Sequence, residues 1–324
     1  GRPWTLSVAL PGSILVNAQS DELKAILAAQ IARTCAIFNV SEVVIFHEDL
    51  QTVEDDALPK PSGKARGTFR KTKAELDEDV TKADALLASL LEMLETPQYL
   101  RRALIPMSPS LRLAGLLPPL DMPHHLRRED ESPYREGVTV AMPEGAEPSN
   151  RPWVNVGLND PVEARSTDAR LVGPRVPTET AGLSWGYTVR MASSLGTVFS
   201  ESPYLDESRP MGYDLTIGTS ERGRPVADCE RQMPPFRHAL VVLGGLAGLE
   251  LSIAAQKDVF GLEASAAGEL FDHYVNVCPG QGSRTIRSEE ALMIALARLK
   301  PAFESRGIRP LGRPGGDKAS VASS

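Results

Sequence analysis

The chain has 324 residues, is 42% hydrophobic and carries a formal net charge of −7. That length holds one full α/β domain with a smaller module but not three ordinary domains, and the acidic balance excludes nucleic-acid affinity carried by net charge alone. Local basic clusters must supply any such affinity, and the candidates are Arg101 with Arg102, His124 and His125 with Arg127 and Arg128, and Arg284 with Arg287. No apolar run is long enough to span a membrane, residues 1–10 lack the layout of a signal peptide, and Cys35, Cys229 and Cys278 are too widely spaced for a zinc site or a disulfide framework. A soluble intracellular protein without metal is expected, in a reducing compartment.

In chain order, Thr5 to Leu10 and Val43 to Phe46 read as buried strands, the first ended by Pro11-Gly12. Between them Ser20 caps a helix with Asp21 and Glu22 in its first turn, and Leu23, Ile26, Leu27, Ile31, Cys35 and Phe38 recur at helical spacing as its apolar face. This βαβ opening predicts a parallel sheet. Residues 48–73 are polar and carry Pro59, Pro61, Gly63 and Gly67, which predicts a mobile loop. A second helix follows, with Leu76, Val80, Ala83, Leu87, Leu90, Leu91 and Leu94 in one core stripe until Pro97 stops it.

From residue 104 to 182 the texture changes to short apolar patches, Val138 to Val140 and Trp153 to Val156 among them, broken by proline and glycine. That pattern predicts a β-rich insertion, a small barrel, within a discontinuous domain of residues 1–103 and 183–311. The α/β rhythm then resumes with strands at Tyr187 to Met191, Tyr213 to Ile217, Ala239 to Leu243 and Tyr274 to Val277. A last helix starts at Ser288, with Glu289 and Glu290 in its first turn and Leu292, Ala295, Leu296 and Leu299 to bury. The small, polar tail at 312–324 is expected to be disordered.

Three loops follow strands of the second half, where open α/β sheets place their ligands. They are Thr219 to Gly223, Gly244-Gly245-Leu246-Ala247-Gly248, and Asn276 to Ile286. Glycines there permit close backbone approach to a ligand. The pair Gly244-Gly245 is not a dinucleotide fingerprint, and no Gly-Lys-Ser or Gly-Lys-Thr closes a phosphate loop. His47, His124, His125, His238 and His273 form no H-E-x-x-H pair, and the side chains of adjacent His124 and His125 are expected to diverge. His238, at the head of a strand, reads as structural, and Cys278 as a small packing residue.

Taken in order, these loops resemble those of SPOUT-type RNA methyltransferases, specifically the eukaryotic and archaeal family with an OB-like barrel inserted in the catalytic domain. The resemblance is carried by Val8 to Leu15, Gln30 to Arg33, Pro97 to Arg101, Pro119 to His125, Trp185 to Arg190, Tyr213 to Gly223, Phe236 to Val242 and Cys278 to Glu290. From Pro161 to Thr180 the barrel's strand pattern is short. The resemblance implies a parallel sheet with a trefoil knot in its C-terminal part, a rare departure from unknotted folds. It also implies that the loops hold S-adenosyl-L-methionine, through Arg222, Gly244, Asn276 and Val277, with Gly245, Leu246, Thr285 and Ile286 lining the same pocket.

The implied reaction moves the donor's methyl group to RNA, with a uridine ring nitrogen of ribosomal RNA as the family-level expectation and a nuclear or nucleolar location to match. Arg284 and Arg222 are the candidates to stabilise a developing anion, and Glu221 to orient Arg222 or accept a proton. A homodimer is expected, with Leu292, Leu296 and Leu299 sharing apolar surface between copies. The competing readings are a non-catalytic RNA-binding or ribosome-assembly factor that keeps the fold, and a structural interaction protein using the acidic surface.

Overall fold

The computed structural model describes residues 2–49, 72–145, 151–164, 170–207, 211–245 and 248–308. The loop expected over 48–73 falls outside them apart from its ends, as does the whole tail from 312.

Strand β1 (Thr5–Pro11) leads through α1 (Asp21–Ile37) to β2 (Glu42–Phe46), paired in parallel with it. The Ser20 side chain accepts the Leu23 backbone N–H at 3.3 Å, the cap its position predicts. The buried face of α1 is built largely from small residues, Ala25, Ala28, Ala29 and Ala32 with Ile31 and Cys35, which let the helix approach the sheet closely. Leu23 and Ile26, expected in that face, are instead 46% and 48% exposed.

Helix α2 (Lys73–Glu95) opens on a capping box in which Thr72 and Glu75 satisfy each other's backbone N–H, at 3.2 and 2.7 Å. Val80, Ala83, Leu87, Leu90, Leu91 and Leu94 are buried along one stripe, as their spacing predicts. Beyond Pro97, α3 (Gln98–Leu104) leads into the stretch expected to be an insertion. There β3 (Val138–Val140), β4 (Trp153–Asn155) and β5 (Val162–Glu163) make a three-stranded antiparallel sheet of very short strands.

The chain returns to the main sheet with β6 (Thr188–Ala192) and continues through α4 (Leu195–Ser200), β7 (Leu215–Pro225), α5 (Val226–Gln232) and β8 (His238–Val242). The last elements are α6 (Leu249–Ala254), α7 (Lys257–Phe260), β9 (His273–Asn276) and α8 (Ser288–Arg306). The strand order is β6-β2-β1-β8-β7-β9 and every pairing is parallel. A parallel sheet must be covered on both faces. One face packs Leu6, Val8, Leu10, Val43 and Ile45 against residues of α1, α2 and α8. Alternate residues Ala9, Val44, Phe46, Leu240 and Val242 face the other way, onto Leu195, Val198, Phe199 and Ile253.

The structure corrects two further expectations. Leu292, Leu296 and Leu299 lie within the core of a single chain, fully covered by it, so they have no surface to share between copies. The segment Thr219 to Gly223 is not a loop after a strand but a bulge within β7: Thr219 and Arg224 both pair with Val275, and the residues between them are looped out.

Candidate functional site

Strand β1 passes its chain toward β2 on one side, and β8 passes its chain toward β9 on the other, so β1 and β8 form the switch point where an open parallel sheet leaves a crevice. A cleft of about 980 Å³ occupies this place. Its walls come from the turn after β1, from α1, from the β7 bulge, from the loop after β8 and from the segment joining β9 to α8.

The residues named from sequence meet here. Glu221, Arg222, Gly244, Gly245, Asn276, Val277, Thr285 and Ile286 all line the cleft. Leu246 lies outside the described residues. Arg284 is exposed and is not among the lining residues, although its neighbour Thr285 is.

Each loop is held by identifiable contacts. The Asn276 side-chain amide donates to the Glu221 carbonyl at 2.9 Å and its oxygen accepts the Cys278 N–H at 3.0 Å, which ties the end of β9 to the bulge. The Ser288 hydroxyl donates to the Gly244 carbonyl at 2.9 Å, which ties the start of α8 to the loop after β8. A Cβ on Gly244 would stand 2.6 Å from the Gly248 carbonyl carbon, so that loop closes too tightly for a side chain there.

Sequence reasoning missed several lining groups. Leu23 and Ile26 of α1, which a periodicity argument assigned to the core, present an apolar wall, and Gln30 adds an amide to it. Glu250, in the first turn of α6, accepts the Ser220 hydroxyl at 2.7 Å and lines the cleft. An acidic residue just after a glycine-rich loop was the available signal. Glu221, Glu250, Glu289 and Glu290 outweigh Arg222 and Arg287 on these walls, a balance that favours a cationic ligand.

His238 is structural, as expected: its Nδ1 lies 2.9 Å from the Thr5 hydroxyl and its ring stacks on Tyr204. His124 and His125 do not diverge. Their Nε2 atoms converge on the Glu95 carbonyl at 3.0 and 2.5 Å, because residues 124 and 125 sit in a turn rather than in a strand that would alternate their directions. Glu95, His124 and Glu136 bring potential ligand atoms within 4.8 Å of one another at the root of the insertion. His124 also reaches the Glu95 carboxylate at 3.0 Å. Burial opposes charge on His124, but the Glu95 bond and the carboxylates outweigh it and raise its pKa. Burial pushes His125 the other way, down to about 4. The cluster is an ionic clasp between α2 and the insertion. Among the described residues no helix is long and apolar enough to cross a membrane.

Comparison with known proteins places the chain in a family. The family described as "Putative RNA methyltransferase" matches residues 5–299. A human protein named 28S rRNA (uridine-N(3))-methyltransferase is 47% identical over 334 residues, covering 95% of this chain and 81% of that protein. Proteins of the same name from Mus musculus and Drosophila melanogaster are 46% and 41% identical, covering 96% and 93% of this chain and 80% and 63% of their own lengths.

Proposed function

Because the chain belongs to the RNA methyltransferase family whose model spans it, we propose that it is an S-adenosyl-L-methionine-dependent methyltransferase acting on a uridine ring nitrogen of ribosomal RNA. One observation carries the reading: three segments far apart in sequence, each containing glycine, converge on one cleft at the switch point of the sheet.

The donor fits what lines this cleft. A volume of about 980 Å³ lies at the upper end of the range of small-molecule sites, roughly 300–1,000 Å³. The Gly244–Gly245 backbone forms one wall, and Leu23, Ile26, Val277 and Ile286 offer apolar surface for an adenine ring. The acidic walls complement the donor's positive charge. When bound, the donor supplies a methyl group already activated by a sulfonium, so the chain's own work is chiefly positioning. Asn276 does this at one remove, by holding the bulge that presents Glu221 and Arg222. Arg222 in the cleft would stabilise the uridine anion left once the ring nitrogen loses its proton, Arg284 at its margin would hold the RNA beside it, and Glu221 would orient Arg222 or take that proton.

The proposal extends to a trefoil threading of the chain beyond β8, to an OB-like barrel built around β3, β4 and β5 as an RNA-docking module, and to a nuclear or nucleolar site of action. It also extends to a homodimer. Leu23 and Ile26 on α1 and Met293 on α8 are exposed apolar residues on helices that contact each other, a more suitable shared surface than the buried leucines of α8.

Calorimetry with S-adenosylhomocysteine tests donor binding, and nucleoside mass spectrometry of ribosomal RNA from cells lacking the protein tests the product. Saturable heat and loss of one methylated uridine are expected. Absence of heat at high protein concentration would instead favour a non-catalytic RNA-binding assembly factor.

A further inference from the structure

Pro11-Gly12-Ser13 is one of the segments that carries the family resemblance, yet it supplies none of the donor contacts proposed above. Its neighbourhood explains why these residues are needed. Gly12 lies against α2: its N–H donates to Asp84 Oδ1 at 2.9 Å, and a Cβ there would collide with Asp84. Ser13 follows and donates its hydroxyl to the Glu48 carboxylate.

Glu48 lies just past the end of β2 and is 3% exposed, an unusual place for a carboxylate. Three groups from three separate segments serve it. One oxygen receives the Ser13 hydroxyl, the other receives the Ser252 hydroxyl of α6 at 2.7 Å, and the backbone N–H of Gly245 favours the charged carboxylate. A Cβ on Gly245 would run into Glu48 and into the Ser13 hydroxyl. Gly245 is therefore glycine because a carboxylate stands where its side chain would be. The carboxylate fixes where the loop after β8 leaves the sheet, and that loop forms one wall of the cleft.

We propose that Glu48 is a positioning residue for methyl-donor binding, a buried anchor that sets the Gly244–Gly245 wall of the cleft from behind while touching neither donor nor RNA. The inference rests on the donor-site reading given above. Burial raises the Glu48 pKa and nearby Asp84 raises it further, while the two hydroxyls and the Gly245 N–H act against this. The three donors are what allow a carboxylate to persist there.

The anchor is lost in Glu48→Ala and largely kept in Glu48→Gln, whose amide oxygen can still accept the Gly245 N–H while the serine hydroxyls rotate to suit. With S-adenosylhomocysteine as the calorimetric probe, Glu48→Ala should bind at least about tenfold more weakly than the wild type, as expected when a charged acceptor of several hydrogen bonds is removed. Affinity for an rRNA fragment should not change, and Glu48→Gln should recover to within about threefold of the wild type. A purely structural role would lower the melting temperature without this selective loss of donor affinity. Gly245→Ala should weaken donor binding less in the Glu48→Ala background than in the wild type, because the clashing carboxylate is gone.

Donor affinity within about twofold of wild type in folded Glu48→Ala would overturn the proposal. If the wild type itself binds no S-adenosylhomocysteine, it is the donor-site reading that fails. Should Glu48→Ala not fold, Ser252→Ala carries the test, with about threefold weaker donor binding expected and unchanged binding counting against the anchor.

Discussion

The Asn276 side chain donates to the Glu221 carbonyl at 2.9 Å while accepting from the Cys278 N–H at 3.0 Å, so both ends of its amide are committed to the protein. An aspartate in the same place would set an oxygen against the Glu221 carbonyl oxygen and lose the donor. Asn276→Asp should therefore release the β7 bulge and lower kcat/KM for the donor by about ten- to a hundredfold, the scale of one lost hydrogen bond plus the repulsion that replaces it, with a small change in melting temperature. Steady-state kinetics at saturating RNA checks this, and a KM for the donor equal to that of the wild type would leave Asn276 without a positioning role.

Arg222 and Arg284 were matched candidates in the sequence, and only Arg222 lines the cleft. Arg222→Ala should lower single-turnover methylation by about ten- to a thousandfold, the scale of losing one stabilising group. Lysine should rescue it only partly if the planar guanidinium matters. Arg284→Ala should weaken RNA binding in a salt-dependent way while leaving the single-turnover rate at saturating RNA within about threefold of the wild type. A rate loss for Arg284→Ala equal to that for Arg222→Ala would place both at the reacting base.

Ile26, 48% exposed on α1, sits at the mouth of the cleft. If two copies meet there, Ile26→Glu places a charge on each side of the shared surface and should convert a dimer to monomers at micromolar concentration. The fold should survive, since Ile26 lies outside the core. Light scattering reads the mass directly, and a wild-type protein that is already monomeric disposes of the idea.

His47 bonds Asp84 at 2.8 Å and Asp77 at 3.2 Å, and the Asp84 bond is the chief reason its pKa is raised. Burial raises Asp84 as well. A raised folded pKa favours the protonated form in the native state, so the stabilisation is fully present below the ordinary imidazole value of about 6.5 and is lost as pH rises through the higher native value. Because His47 is partly exposed, the effect should stay below about 1 kcal/mol. The melting temperature should fall as pH rises above about 6.5, and His47→Gln should flatten that fall. An identical slope in the variant would remove His47 as its source.

Local geometry made much of the molecule legible from sequence. The apolar runs at Thr5 to Leu10 and Ala239 to Leu243 could hardly form anything but buried strands, and the stripe from Val80 to Leu94 and the cap at Ser20 follow from helical spacing and from unsatisfied N–H groups at a helix start. The glycine-bearing segments of the cleft were visible for the same reason, since glycine marks where backbone must come close to something. Tertiary structure decided what that something is. Ser252 reaches Glu48 across 204 positions of sequence, and no period of two or 3.6 residues encodes such a pair. It exists only because a parallel sheet brings the ends of β1, β2 and β8 together. The same sheet looped out residues 220 to 223, by letting Thr219 and Arg224 share one partner in β9, and it turned Leu23 and Ile26 away from the core that their spacing suggested. Spacing determines which residues share a face of an element, but the neighbour that face meets depends on the order of strands in the sheet, and that order is a property of the whole chain.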